Sequence, residues 1–380
     1  MTNAGLNVQN PATSDEAALV LSEVRGQVGF ITLNRPKALN ALSLPMIRAL
    51  TQCLLVWRDD ARVKAVAIRG SNKTGPFGSF CAGGDIRFFH QAALAGDSQL
   101  EDFFTEEYTL NHLIHGYPKP CVAFMDGIVM GGGMGIGQGT KIRIVTESTK
   151  MAMPETNIGL FPDVGGGYFL SRCPGHTGEW LALTGETIGA AAALSLGLAD
   201  VCFDATQLSS AWDALAQLDF DHATAIDSWL TTYSVAANAY STAARDRIDH
   251  YFGLDTVAAM VAALEADPDA WAQATAVTLR QRSPLMLQVT LEQIRRARGM
   301  TLADDLRMER DMVQHCFAPR HLGRSASQSE TVEGIRALAV DKDNAPHWQP
   351  SRIENVTPAM VAPFFTSPWT PLAHPLRELR

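Results

Sequence analysis

Three things are scarce in this chain of 380 residues, and each absence narrows what it can do. Cysteine is the first: the six cysteines, at positions 53, 81, 121, 173, 202 and 316, form no C-x-x-C pair. In a chain of this size they read as buried free thiols rather than a disulfide framework. The ten histidines include one close pair, His112 and His115, with no neighbouring Cys or Asp to complete a ligand set, so no metal is expected. Positive charge is the second scarcity. A formal net charge of −9 argues against a nucleic-acid partner, which would favour a basic face, although a few local Lys or Arg residues can still hold phosphates. Apolar length is the third. No run approaches the roughly 18–20 residues a membrane span needs, and no membrane role is expected. The first ten residues show neither a basic-then-apolar signal nor an Arg-rich presequence, and the expectation is a cytoplasmic protein.

What is present describes a globular chain. Hydrophobic residues make up 46% and charged ones 19%, enough for a sizeable core in one large domain or two ordinary ones. Two short β-type runs, Ala18–Val24 and Val28–Leu33, suggest a hairpin. Ser43 reads as the N-cap of a helix to about Arg58, with Pro45 tolerated in its first turn. Lys64–Gly70, Cys121–Met125 and Lys141–Thr146 read as strands; helical patterns open near Gly84, across 101–115 and at Gly131. This alternation predicts an α/β architecture. Beyond Asp204 the pattern turns helical, as in Leu285–Arg298 and Leu302–Cys316. The expected division is therefore a core over 15–204 and an α-helical region over 205–380, with a wrapped or loose proline-rich tail from Pro346.

The segment from Met153 to Tyr168 sets two carboxylates, Glu155 and Asp163, among apolar residues and glycines. Burial disfavours a charged carboxyl, so such acids are costly unless used. Glu155 has a bland alternative as a surface loop acid, and Asp163 as a helix N-cap. Two glycine clusters precede them. Gly83-Gly84 at the end of a loop either presents an N–H donor at a helix start or is a plain turn with Asp85 capping the helix. Gly131-Gly132-Gly133 follows a strand and opens a helix, either to pack closely or to face a ligand with N–H groups. A dinucleotide fingerprint is discounted, because no acidic residue ends a following strand about 20 residues on.

In this order, Asn34-Arg-Pro-Lys-Ala-Leu-Asn-Ala-Leu42, Cys81-Ala-Gly-Gly-Asp-Ile86, Gly131-Gly-Gly133 and Pro154-Glu155 resemble the crotonase (enoyl-CoA hydratase/isomerase) superfamily over roughly residues 18–204. A closer resemblance is to its 3-hydroxyisobutyryl-CoA hydrolases. It rests on Phe103-Phe-Thr-Glu-Glu-Tyr108, Met153-Pro-Glu-Thr156, Gly159-Leu-Phe-Pro-Asp-Val-Gly-Gly-Gly-Tyr-Phe169, Val332-Glu-Gly-Ile-Arg-Ala-Leu338 and Asp341-Lys-Asp343. The resemblance implies a spiral of ββα units followed by a helical region, and an acyl-CoA substrate with no cofactor beyond the CoA it carries. It implies an oxyanion hole from the N–H groups of Gly84 and Gly132, catalytic Glu155 and Asp163, Glu107 in the acyl pocket, and Lys37 near the CoA phosphates, where a solvated turn lysine is the alternative. Many members form trimers or pairs of trimers, though the longer helical part here could cover that surface. Hydratases of the superfamily carry a second glutamate where this chain has Gly135, and a glycine where it has Asp163. The expected activity is therefore hydrolysis of a short 3-hydroxyacyl-CoA thioester, foremost 3-hydroxyisobutyryl-CoA in valine catabolism. The alternatives are an enoyl-CoA hydratase or isomerase working through Glu155 alone, and a non-catalytic acyl-CoA-binding protein.

Overall fold

The computed structural model describes residues 18–237 and 242–380. The hairpin forms as expected: β1 (Val20–Arg25) and β2 (Val28–Leu33) pair antiparallel, with Gly26 at φ +58° in the turn. A Gly is required there by more than φ, since a β-carbon would stand 2.1 Å from the Ala216 carbonyl oxygen. Strands β3 (Ala65–Gly70), β4 (Cys121–Met125), β6 (Ile142–Thr146) and β8 (Val201–Phe203) extend the sheet in parallel, in the order β1-β2-β3-β4-β6-β8. Two shorter strands, β5 (Ile128–Met130) and β7 (Lys150–Ala152), pair with each other in a second small sheet.

The main sheet is covered on both faces, which is why its strands read as continuous apolar runs. Ile31, Leu33, Val66, Ile68, Ala123 and Met125 face one core. The alternate residues Val28, Phe30, Ala65, Ala67, Val122 and Phe124 face another, closed by Trp212 and Trp229. Those two tryptophans come from helices Leu208–Leu215 and Ala225–Tyr233, beyond the last strand. After Phe203 the named elements are all helical.

A repeating unit organises the first half: a long strand in the main sheet, a short strand in the second sheet, then a helical turn. It appears as β4, β5 and α4 (Gly132–Gly139), and again as β6, β7 and the 3-10 turn Glu155–Ile158; before them come β3, the isolated bridge at Cys81 and α2 (Ile86–Ala95). Two local details differ from expectation. Ser43 does occupy the N-cap of α1 (Leu44–Asp59), but its hydroxyl makes no capping bond and is buried without a partner among the described residues. The tail wraps rather than hangs loose: Trp348, Phe364 and Leu376 are buried, and the Arg307 guanidinium donates to the Leu376 carbonyl.

Candidate active site

The repeat brings the motifs together. Cys81 bridges Val129, and Val129 pairs with Met151, so three turns of the spiral stand side by side. Three residues on from each lie Gly84, Gly132 and Pro154, with Glu155 next. All four line one cavity of about 250 Å³, together with Glu107, Asp163, Val164 and Leu338.

Backbone geometry makes glycine obligatory here. Gly83 sits at φ +101°, and Gly131 at φ 49°, ψ −120°, a region open only to glycine. Gly84 bridges Leu42: the Leu42 N–H donates to the Gly83 carbonyl (2.8 Å) and the Asp85 N–H to the Leu42 carbonyl (3.0 Å). In a parallel pairing, the residue between those bonds turns its own N–H to the opposite side. Gly132 is the first residue of α4, where an N–H has no acceptor within its helix. The two loops touch, since a β-carbon on Gly131 would lie 3.4 Å from the Gly83 Cα. Asp85 caps α2 through the Phe88 N–H (3.3 Å), as the plain-turn reading expects, and also pairs with Arg35 (2.7 Å).

Two carboxyls close on these glycines, and a third, Asp163, lines the same cavity. A β-carbon on Gly132 would stand 2.5 Å from Glu107 Oε1, and one on Gly131 would stand 2.9 Å from Glu155 Oε1. Glu107 Oε1 and Glu155 Oε2 are buried with no partner among the described residues. Burial, then the charge of Asp163, pushes Glu155 well above the usual carboxylate range. Burial, followed by Asp163 and Glu155, does the same for Glu107. Asp163 is pushed up by burial to about 6, held there by the Tyr108 hydroxyl, which donates to Asp163 Oδ2 at 2.8 Å. Burial thus acts in the same direction on all three acids, and repulsion adds to it on Glu107 and Glu155, favouring the protonated forms.

Asp163 does not cap the helix that follows it. The N-cap of α5 (Gly166–Leu170) is Gly165, and the carboxylate turns toward Tyr108 and the cavity instead. Next to it, Val164 adopts φ +58°, a left-handed conformation rare for a β-branched residue. Its side chain fills the space beside Gly135, where a β-carbon would stand 2.6 Å from Val164 Cβ and 3.0 Å from Asn111 Nδ2. Gly135 lines a separate cavity with Asn111 and Val164, and a larger side chain there has no room. Lys37 is exposed on the 3-10 turn Pro36–Ala38 and does not line this cavity. Its turn is tied to the cavity wall where the Ala82 N–H donates to the Leu39 carbonyl (3.1 Å).

Tyr108 lies in the segment Phe103–Tyr108, yet nothing local marks its hydroxyl as the partner of Asp163. Asp305, Glu309 and Gln293, which grip the Asp163 turn from the C-terminal helices, likewise stand outside every motif of the sequence. Their only signal was two acids four residues apart on the apolar face of a helix.

The enoyl-CoA hydratase/isomerase family model matches residues 28–365. The chain belongs to this family. It is 37% identical over 368 residues to the 3-hydroxyisobutyryl-CoA hydrolase, mitochondrial, of Xenopus tropicalis, covering 95% of this chain and 92% of that one. It is 38% identical over 354 residues to 3-hydroxyisobutyryl-CoA hydrolase 1 of Arabidopsis thaliana, covering 91% of each. Among solved structures, a carnitinyl-CoA dehydratase from Mycobacterium thermoresistibile superposes with a TM-score of 0.83 at 39% identity, over 93% of this chain and 98% of that one. An enoyl-CoA hydratase from Rhodobacter sphaeroides 2.4.1 gives 0.80 at 34%, over 92% and 98%. The crotonase-type α/β fold and the likeness to 3-hydroxyisobutyryl-CoA hydrolases expected from the sequence are both borne out. No helix among the described residues is long and apolar enough to cross a membrane.

Proposed function

We propose that this chain is an acyl-CoA thioester hydrolase whose foremost substrate is 3-hydroxyisobutyryl-CoA, released as 3-hydroxyisobutyrate and CoA in valine catabolism. The observation that carries the reading is the pairing of Gly135 with Val164. The position of the second hydratase glutamate is filled by a neighbour, while a carboxylate stands eight residues after Glu155, in the same cavity. Addition of water to a C=C bond needs two acids beside the alkene; attack on the thioester carbonyl needs acids beside the carbonyl.

The thioester oxygen lies between the Gly84 and Gly132 N–H groups, which stabilise the negative charge of the tetrahedral intermediate. Glu155 either takes a proton from the attacking water or attacks the carbonyl itself to give an anhydride that water then opens. In both routes one water is consumed, a C–O bond replaces the C–S bond at the acyl carbon, and CoA leaves as a thiolate that collects a proton. Asp163 orients the water or the substrate hydroxyl and shares a proton with Glu155. Glu107 borders the acyl group, and Lys37 reaches toward the CoA phosphates. CoA enters as part of the substrate, and no cofactor is assigned a step.

A hydratase reading is favoured by one observation, the hydratase and dehydratase names of the two superposed structures. Replacing Glu155 by Gln separates the roles: thiol release from 3-hydroxyisobutyryl-CoA is expected to fall by about 10³-fold or more with substrate binding retained. Near-full activity in that variant overturns the assignment. A 3-hydroxypropionyl group differs by one methyl, worth only about 1–3 kcal/mol in a pocket, so a panel of short 3-hydroxyacyl-CoAs fixes the acyl group. Six free cysteines, five of them buried, support a reducing compartment. The cytoplasm is our proposal, and cell fractionation decides between it and the mitochondrial location named for the Xenopus relative.

A further inference from the structure

The turn that carries Asp163 is built from residues that cannot hold it alone. Val164 is in a left-handed conformation, and Gly165, Gly166 and Gly167 follow it without a side chain to pack. Such a backbone persists only where its surroundings over-determine it. Here they come from the other end of the chain. Glu309 Oε2 accepts the Gly165 N–H at 2.7 Å and its Oε1 accepts the Gly167 N–H at 2.9 Å. Asp305 Oδ2 accepts the Tyr168 N–H at 2.8 Å. Gln293 Nε2 donates both to the Pro162 carbonyl at 2.7 Å and to Glu309 Oε1 at 3.0 Å. The bonds bracket Asp163 and Val164 on both sides.

Glu309 and Asp305 are fully buried, and neither forms an ion pair among the described residues. Burial pushes both upward, Asp305 to about 7, and the neighbouring Asp305 charge adds to the push on Glu309. Two unpaired acids in a core are expensive, and simple packing would be served better by apolar residues. Gly167 has the same explanation: a β-carbon there would stand 2.3 Å from Asp305 Oδ1.

We propose that Glu309, assisted by Gln293 and Asp305, is a positioning residue for Asp163, clamping the backbone of residues 162–168 so that the strained Val164 turn aims the carboxylate at Tyr108 and into the cavity. The proposal rests on the hydrolase reading for its kinetic consequence, and on geometry alone for its structural one. Glu309→Gln supplies one carbonyl oxygen where two backbone N–H groups need acceptors, and its amide N–H group faces a donor. Its kcat for thiol release is expected to fall at least about tenfold with KM within about threefold, since a misaimed group loses turnover more than binding. Val164→Gly accepts the left-handed turn without the clamp, so in that background the loss caused by Glu309→Gln is expected to shrink below about threefold. An undiminished loss in the glycine background overturns the clamp, as does a Glu309→Gln variant within about twofold of wild type.

A crystal structure of Glu309→Gln gives a readout independent of activity. Val164 is expected to leave the left-handed region, and Tyr108 Oη to move beyond about 3.5 Å from Asp163; an unchanged turn overturns the proposal. A wild type that releases no thiol sinks the hydrolase reading while leaving this structural test intact. Should Glu309→Gln fail to fold, Gln293→Leu, which frees the Pro162 carbonyl and leaves Glu309 in place, is expected to show the same turn displacement and the same rescue by Val164→Gly.

Discussion

Tyr108 and Asp163 are joined by a buried hydrogen bond of 2.8 Å across 55 residues of sequence. The hydroxyl donates to the charged form of the carboxylate and opposes the burial that has pushed it up to about 6. Removing the donor therefore raises the proton affinity of Asp163 further. In Tyr108→Phe, the acid limb of the kcat/KM profile that follows Asp163 is expected to move to higher pH, and turnover to drop by roughly tenfold. A profile superposable on wild type would separate Asp163 from the chemistry.

Gly132→Ala tests the backbone donors. Its β-carbon would meet Glu107 Oε1 at 2.5 Å and Leu42 Cδ1 at 3.1 Å, so either the Glu107 carboxyl or the first turn of α4 must shift. The expected outcome is a loss of about 10²–10³ in kcat, the size seen for one displaced oxyanion donor, with a smaller change in KM. Steady-state kinetics on a folded variant, verified by circular dichroism, reads it.

Gly135→Glu restores the hydratase acid on paper only. Val164 and Asn111 already occupy the space, so overpacking of about 1–3 kcal/mol is expected. Its melting temperature should fall by several degrees without any gain in crotonyl-CoA hydration. A stable variant with new hydratase activity would show that the space is free.

Stability should also decline with rising pH. Asp163 at about 6 and Asp305 at about 7 bind protons more tightly folded than unfolded, where carboxylates titrate near ~4. Their contribution is whole below about pH 4 and is lost as pH rises through 6 and 7. Calorimetry is expected to give a higher melting temperature at about pH 5.5 than at about pH 8, with Asp305→Asn flattening the slope. Half-buried His321, pushed down to about 4, pulls the other way below about pH 6.5, so the decisive comparison is between variants: an Asp305→Asn slope equal to that of wild type contradicts the buried proton.

The parts of this molecule that local pattern controls were legible in its sequence. The hairpin followed from two apolar runs around Gly26, and the strand at Cys121–Met125 from its flanking Pro and Gly. The glycines at 84 and 132 were legible in the sequence, but that both line one cavity follows only from the spiral that sets Cys81, Val129 and Met151 side by side. Asp163 looked as much like a helix cap as a working acid, because its partner Tyr108 lies one helix away. The clamp from Glu309 spans 144 residues to Gly165, and such pairing leaves no spacing to read. Ser43 shows the converse, a residue of the right type in the right place whose expected bond is not made.

The most direct measurement sets two activities of the wild-type chain side by side, thiol release from 3-hydroxyisobutyryl-CoA and loss of enoyl absorbance from crotonyl-CoA. The expected result is rapid thiol release, abolished in Glu155→Gln, with negligible change in the enoyl band. Fast hydration of crotonyl-CoA with no thiol released would contradict the hydrolase reading and return this site to the chemistry of the hydratases.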